Sequence, residues 1–134
     1  MTHHDQISRE KLAIRRIVVT GGAGFIGCHL TEALAKTCPD SEIVVLDAIT
    51  YAVQPQAINR LNRLSNVKLV RGDVCDTGLA VSLLAGTDLV FHLAAESHVT
   101  RSFCDLHLFD RVNSQETQSM LEASLVCAAG RFVH

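Results

Sequence analysis

The sequence predicts an α/β fold in which helices cover both faces of a doubly wound parallel sheet. Three observations support it: β-branched runs alternate with helical stretches, a glycine-rich turn follows the first run, and no polar linker divides the 134 residues. Strands that alternate with helices are joined by right-handed crossovers, which make the sheet parallel. We therefore expect a polar leader over residues 1–15 and one domain over residues 16–134.

The first strand, first helix and second strand carry the clearest local signals. The β-branched run Ile17-Val18-Val19 stops at a turn that begins with Thr20, as a buried strand does. A helix is predicted over residues 24–36, because a proline-aspartate pair then breaks the pattern. A second strand is predicted over residues 43–46 and ends on Asp47. The apolar side chains at helical spacing in the first helix are Phe25, Ile26, Leu30 and Leu34.

The remaining elements repeat this alternation with weaker signals. Helices are predicted over residues 56–64, 79–84 and 105–128, and strands over residues 67–70, 89–93 and 131–134. Gly130 is expected to end the last helix, and the sheet is expected to be incomplete, ending at the fifth strand. The apolar residues of the last helix that we expect to be buried are Leu108, Val112, Met120, Leu121 and Leu125.

The charge balance and hydropathy exclude several classes of partner. Twelve basic residues stand against fourteen acidic ones, a net charge of −2, so no surface for nucleic acid is expected. The longest apolar stretches, such as residues 89–95, are far shorter than the ~20 residues of a membrane span. The first sixteen residues lack the apolar run of a secretory signal, so we expect a cytoplasmic protein.

The cysteines and histidines show neither a disulfide framework nor a metal site. Of seven histidines, only His3 and His4 are close in sequence, and they lie in the polar leader. The five cysteines contain no CxxC pair and are interpreted as small buried side chains. They are Cys28, Cys38, Cys75, Cys104 and Cys127.

The junction between the first strand and the first helix has the spacing of a phosphate-binding turn. Gly21 permits a tight turn, Gly24 lets the backbone approach a pyrophosphate, and Gly27 lets the helix lie close to the sheet. The free N–H groups and the dipole of the helix then favour phosphate. We interpret the GxxGxxG pattern as the turn of a Rossmann-type dinucleotide site, the alternative being glycines that serve only the turn. A GK[ST] loop is excluded, because Cys28 follows Gly27.

Polar or small residues follow the other predicted strands at the same edge of the sheet. Asp47 is placed to accept hydrogen bonds from the adenosine ribose and to repel a 2′-phosphate, so NAD is favoured over NADP. Asp73 is placed to accept the adenine amino group, and small Ala94 and Ala95 let a dinucleotide pass close to the backbone. The alternatives are turn capping for Asp47 and a turn or helix cap for Asp73.

Four segments resemble the extended short-chain dehydrogenases/reductases of the NAD-dependent epimerase/dehydratase family, and most closely the dTDP-glucose 4,6-dehydratases. Residues 20–27, 46–52, 72–76 and 92–99 read TGGAGFIG, LDAITYA, GDVCD and HLAAESHV. The first segment is shared by nucleotide-sugar relatives, whereas LDxxTYA and AESHV are more particular to the dehydratases. The resemblance spans nearly the whole chain after the leader.

The resemblance implies an NAD site and a nucleotide-sugar substrate. In such enzymes a hydride passes from C4 of the hexose to NAD, water is lost across C5 and C6, and the hydride returns to C6. Ser97 would lie nearest the nicotinamide and the sugar. The implied NAD-binding residues are Gly21, Gly24, Phe25, Ile26, Gly27, Asp47, Ala48, Ile49, Thr50, Asp73, Val74, Leu93, Ala94, Ala95, Glu96 and Ser97.

Several residues depart from the usual pattern of these dehydratases. Thr100 stands where they have Asp, Val112 where they have Thr, and Glu116 where they have Gly. Val53-Gln54 replaces a usual Gly-Asn. Because Val112 lacks a hydroxyl expected beside the cofactor, NAD binding is expected to be weaker by about 1 kcal/mol, the typical value of one hydrogen bond.

The proton-transfer groups of the family are absent from this sequence. The only tyrosine is Tyr51, and Pro55 stands four residues later, so the family's Tyr-x-x-x-Lys pair is missing. The resemblance also implies a carboxy-terminal substrate domain, which we do not expect within these residues, and we expect no dehydratase activity from this chain alone. Glu96 and His98 are local candidates for acid–base roles, although packing below the site explains His98 as well.

Three functions stay open at this point. The chain is the NAD-binding portion of a nucleotide-sugar dehydratase, part of another family member such as a 4-epimerase or decarboxylase, or a non-catalytic NAD-binding or truncated module. The resemblance also implies a homodimer paired through helices of the region 105–128, although the same apolar stripe serves equally to cover the sheet.

Overall fold

A computed structural model describes residues 13–50, 53–95 and 111–134 of the chain. The strands within these residues are β1 (Arg16–Thr20), β2 (Glu42–Asp47), β3 (Val67–Arg71), β4 (Leu89–His92) and β5 (Arg131–Val133). They form one parallel sheet in the order β3-β2-β1-β4-β5. The order reverses between β1 and β4, so a crevice opens at their carboxyl ends, where open α/β sheets bind ligands.

Helices lie on both faces of the sheet, which confirms the doubly wound prediction. They are α1 (Phe25–Thr37), α2 (Pro55–Asn62), α3 (Thr77–Leu84) and α4 (Glu116–Val126), and a π-helical turn (Arg111–Gln115) leads into α4. Helices α1 and α2 pack on one face, and α3 and α4 on the other. Apart from the start of the last helix, the ends of the described elements differ from the predicted ones by at most two residues. That helix was predicted from residue 105, whereas α4 begins at Glu116, and residues 105–110 lie outside the described residues.

The β-branched strand residues divide between two cores. In β1, Ile17 and Val19 face α1 and α2, whereas Val18 faces α3 and α4. In β2, Ile43 and Val45 pack with Ile17 and Val19. These four side chains and that of Val18 are fully buried. A parallel strand covered on both faces needs apolar residues at every position, which explains the continuous apolar runs in the sequence.

Helix α1 packs on the sheet through small side chains. Its buried residues are Gly27, Cys28, Thr31 and Ala35. Phe25 and Ile26, which share helical spacing with Leu30, are 83% and 71% exposed. They lie in the first turn of α1, at the carboxyl edge of the sheet, and do not pack on it.

The residue that ends α4 is not the one predicted. Ala128 takes a left-handed φ of 52°. The N–H of Ala129 donates to Ser124 O at 3.0 Å, and that of Ala128 to Leu125 O at 3.2 Å, which together form a Schellman motif. The left-handed residue that ends the helix is therefore Ala128, and the expectation for Gly130 was wrong.

Only part of the predicted apolar stripe of α4 is buried. Met120 is fully buried against the sheet, whereas Leu121 and Leu125 are 44% and 82% exposed. The prediction is confirmed for Met120 and wrong for these two leucines, which lie away from the sheet. Leu108, with the rest of residues 105–110, and the side chain of Val112 lie outside what the structure describes.

The cysteines of the described residues form no disulfide bond with one another. Cys28 is buried as predicted, whereas Cys38, Cys75 and Cys127 are half-buried, and Cys104 lies outside the described residues. In the same part of the chain, no helix is long and apolar enough to cross a membrane.

Truncating Met120 tests the placement of α4. We expect Met120→Ala to lower the free energy of unfolding by about 2–5 kcal/mol, because it removes apolar contacts and leaves a cavity in the core. Leu125→Ala, on the exposed side of the same helix, should change it by less than about 0.5 kcal/mol. Urea unfolding followed by circular dichroism measures both, and equal losses would contradict this placement.

Ala128 offers a second test of the fold. We expect Ala128→Gly to raise the free energy of unfolding by about 0.5–1 kcal/mol, because glycine adopts a left-handed φ without steric penalty. Ala129→Gly is the matched control and should lower it, since Ala129 has no positive φ. Urea unfolding measures the free energy of unfolding of both variants. A lower value for Ala128→Gly would contradict the left-handed φ at Ala128.

Candidate cofactor site

The glycine turn is held by contacts that exclude any larger side chain. Gly21 has a φ of +67°, and a Cβ added there would lie 2.7 Å from the backbone N of Ala94. A Cβ on Gly27 would lie 2.1 Å from Gly21 O, because α1 begins against the turn. The tight turn predicted at Gly21 is thereby confirmed, and Gly27 lets α1 lie close to that turn at the end of β1. Gly24 meets only Gly21 O, at 3.3 Å, so its outer side is open to the crevice.

The amino terminus of α1 opens onto the crevice without a negative charge of its own. Gly24 is the N-cap, no side chain caps the helix, and its first turn contains no acidic residue. The first N–H groups of a helix have no carbonyl partner within it, so they and the helix dipole are available to an anion. The exposed Phe25 and Ile26 flank this turn.

Asp47 joins the end of β2 to the glycine turn. Its Oδ2 accepts the N–H of Ala23 at 3.0 Å, and its Oδ1 accepts the N–H of Ile49 at 2.8 Å. The turn-capping alternative is therefore observed, yet two of the roughly four acceptor positions of a carboxylate remain. Ile49 is half-buried with a left-handed φ of 53°, while Ala48 and Thr50 are exposed beside it.

Asp73 and Val74 bring the end of β3 to the same edge. The Asp73 carboxylate accepts the N–H of Cys75 at 2.8 Å, and Val74 is buried. Asp76 caps α3, since its Oδ1 accepts the N–H of Leu79 at 3.1 Å. Asp73 thus makes the turn and Asp76 makes the helix cap, and the adenine contact of Asp73 stays a prediction.

Glu116 extends this end of the site in a way that we did not predict. It is buried at the start of α4, and the ligating atoms of Asp73, Cys75 and Glu116 lie within 4.8 Å of one another. The one sequence signal for a role of Glu116 was that the resembling dehydratases have glycine at this position. Two neighbouring carboxylates favour a hydrogen-bond donor over an acceptor at this corner.

The segment after β4 lies directly against the glycine turn. The N–H of Leu93 donates to Thr20 O at 3.1 Å, and the N–H of Ala94 donates to Thr20 Oγ1 at 3.3 Å. Leu93 and Ala94 are half-buried and Ala95 is exposed. The other residues singled out from the sequence near this edge lie outside the described residues, and they are Tyr51, Glu96, Ser97, His98, Thr100 and Arg101.

His92 lies beneath this edge and was not predicted to form contacts there. Its Nδ1 is 2.7 Å from Thr20 Oγ1, and its Nε2 is 3.1 Å from Thr117 Oγ1. The His92 side chain is fully buried, and the rings of Phe132 and His134 lie 5.9 and 5.4 Å away. Burial lowers the pKa of His92 to about 4, with a smaller contribution from His134.

The fold and this edge define a dinucleotide-binding type of α/β protein, and comparisons with known proteins agree. The model of the NAD dependent epimerase/dehydratase family matches residues 17–134. The chain belongs to this family, as the sequence resemblance implied.

Relatives and solved structures within the family include dTDP-glucose 4,6-dehydratases. The one from Streptomyces niveus is 44% identical over 123 residues, which are 89% of this chain and 37% of that protein. DesIV, the dTDP-glucose 4,6-dehydratase of Streptomyces venezuelae solved with NAD bound, has a TM-score of 0.81 and 41% identity, over 89% of this chain and 38% of its own. The chain therefore spans little more than a third of these relatives.

An epimerase of the same fold is also similar. The UDP-glucuronic acid 4-epimerase of Bacillus cereus, solved as a Y149F mutant with NAD, has a TM-score of 0.81 and 33% identity, over 89% of this chain and 39% of its own.

Acid is expected to destabilise the protein through His92. The pKa of His92 is lowered from 6.5 to about 4, so the unfolded chain binds this proton more readily than the folded one. The free energy of unfolding should therefore fall by about 3 kcal/mol from this group as pH decreases from about 6.5 to about 4. An NMR titration of the His92 ring is expected to have its midpoint near pH 4, and a midpoint above about 6 would contradict the buried placement.

Proposed function

We propose that the chain is the NAD-binding portion of a nucleotide-sugar 4,6-dehydratase that converts dTDP-glucose to dTDP-4-keto-6-deoxyglucose. The observation that carries the proposal is the glycine turn, in which Gly21 lies against Ala94 where the strand order reverses. An uncapped helix end adjoins it, and such a crevice accepts the pyrophosphate of a dinucleotide. The similarity to two dTDP-glucose 4,6-dehydratases supports the choice of reaction.

The residues that the structure describes fit NAD. The first N–H groups of α1 would donate to the pyrophosphate, and the remaining acceptor positions of Asp47 would receive the ribose hydroxyls. The adenine amino group would lie near the carboxylates of Asp73 and Glu116, whose oxygens are close to each other, and small Ala94 would leave room beside the backbone. When bound, NAD supplies the reversible hydride transfer that the dehydration requires.

The preference for NAD over NADP tests the cofactor site. We expect the chain to bind NAD more tightly than NADP, because the Asp47 carboxylate repels a 2′-phosphate. Asp47→Asn should reduce the ratio of NAD affinity to NADP affinity about tenfold. The variant loses the charge-assisted hydrogen bonds to the ribose of NAD, and it no longer repels the 2′-phosphate of NADP. Calorimetric titration with each nucleotide measures the ratio.

Asp40→Asn is the matched control for this test. Asp40 is exposed in the loop before β2, at the opposite edge of the sheet, so the ratio should stay at its original value. Equal affinity of the unaltered chain for the two nucleotides, or a ratio that Asp47→Asn leaves unchanged, would count against the proposed site.

The proton-transfer groups of the reaction are proposed to lie in the part of the enzyme that this chain does not span. Tyr51 is the only tyrosine present, and no lysine stands four residues after it. We therefore expect the chain to yield no 4-keto-6-deoxy product when it is incubated with NAD and dTDP-glucose. The Streptomyces niveus relative under the same conditions is the positive control, and product from the chain alone would overturn this expectation.

A nucleotide-sugar 4-epimerase is the second candidate for the whole enzyme. The similar TM-score of the UDP-glucuronic acid 4-epimerase favours it. The product formed by the full-length enzyme separates the two functions, since a dehydratase yields a 4-keto-6-deoxy sugar and an epimerase yields a sugar inverted at C4.

A homodimer formed through α4 is also part of the proposal. Leu121 and Leu125, one turn apart on α4, are exposed, as is Val126, and none of the three covers the sheet. Clustered apolar side chains at a surface favour association with another apolar surface.

A further inference from the structure

A buried chain of hydrogen bonds joins three elements of the fold beneath the crevice. Thr20 ends β1, His92 ends β4, and Thr117 lies in the first turn of α4. The ring of His92 bridges the two hydroxyls, at 2.7 Å from Thr20 Oγ1 and 3.1 Å from Thr117 Oγ1. Thr20 and His92 are fully buried and Thr117 is half-buried.

The partners of Thr20 determine which groups donate and which accept in these hydrogen bonds. Its Oγ1 accepts the N–H of Ala94, and among the described residues the other polar contact of that oxygen is His92 Nδ1. A buried hydroxyl hydrogen needs an acceptor, so the Thr20 O–H donates to Nδ1. Nδ1 is then unprotonated, and the ring proton resides on Nε2, which donates to Thr117 Oγ1.

Thr20 also connects the segment after β4 to the glycine turn, which are the two sides of the crevice. Its backbone O and its Oγ1 hold the N–H groups of Leu93 and Ala94, and Gly21 follows it directly. Because the space between Gly21 and the Ala94 N is too small for a Cβ, a small displacement of Thr20 changes the contact of the glycine turn with Ala94.

We propose that His92 is a positioning residue whose Nε2-protonated ring couples the first turn of α4 to the contact between Gly21 and Ala94, and thereby sets the affinity of the crevice for NAD. The inference rests on the proposed NAD binding. A core histidine that only fills space would support folding without this effect on affinity.

Threonine 117 allows a test that leaves the buried ring in place. Thr117→Val removes the acceptor of the Nε2 proton, and we expect it to raise the NAD dissociation constant about three- to tenfold and to shift the Ala94 amide signal in NMR spectra. Thr117→Ser keeps the hydroxyl and should restore both. The ¹⁵N shifts of the His92 ring in the unaltered chain should show a proton on Nε2 and none on Nδ1.

The matched control is Thr87→Val. Thr87 is buried, its Oγ1 donates to Leu83 O at 3.2 Å, and it lies before β4 at the opposite edge of the sheet. This variant should lower the free energy of unfolding and leave the NAD dissociation constant and the Ala94 signal unchanged.

The outcomes separate this inference from the proposed function. If the unaltered chain binds NAD and Thr117→Val binds it equally well, the positioning role is overturned while the proposed function stands. A proton on Nδ1 of His92 also overturns it. If the unaltered chain binds no NAD, the proposed function fails, and this inference fails with it.

Discussion

The close contact between Gly21 and the Ala94 amide is the constraint on which the crevice depends. It joins the two strands at which the sheet order reverses, at a glycine with a left-handed φ of +67° and no space for a Cβ. Thr20 holds the partner segment from below, and Asp47 holds the turn from the side of β2 through the N–H of Ala23. The glycine turn is thus fixed by both neighbours of β1, which leaves the amino terminus of α1 directed at the crevice.

The packing of the helices follows from the same constraint. Because α1 begins against the turn, a residue larger than glycine at position 27 would collide with Gly21 O, and the buried face of α1 consists of small side chains. The larger apolar side chains of its first turn are consequently exposed at the edge of the crevice. On the other face, α4 covers the sheet through Met120. It begins with Glu116, whose carboxylate lies beside Asp73, and Thr117, whose hydroxyl contacts the buried ring of His92.

The sequence predicted the elements of the fold and the family because those signals are local. Strand runs, the GxxGxxG spacing and the Asp after β2 each occupy a few consecutive residues. The packing face of α1 was missed because glycine, cysteine and threonine do not register in a count of apolar periodicity. The left-handed end of α4 was missed because alanine rarely adopts that conformation. The contacts of His92 join residues 72 and 25 positions away in sequence, so no local pattern could reveal them.

Amide NMR spectra recorded during addition of NAD are the direct test of the proposal that NAD binds at the carboxyl edge of β1 and β4. We expect the signals of Gly21, Gly24 and Ala94 to shift with increasing NAD, while those of Ser41 and Asn66, at the opposite edge, stay in place. Shifts confined to the opposite edge, or no shifts at NAD concentrations that saturate related dehydratases, would contradict it.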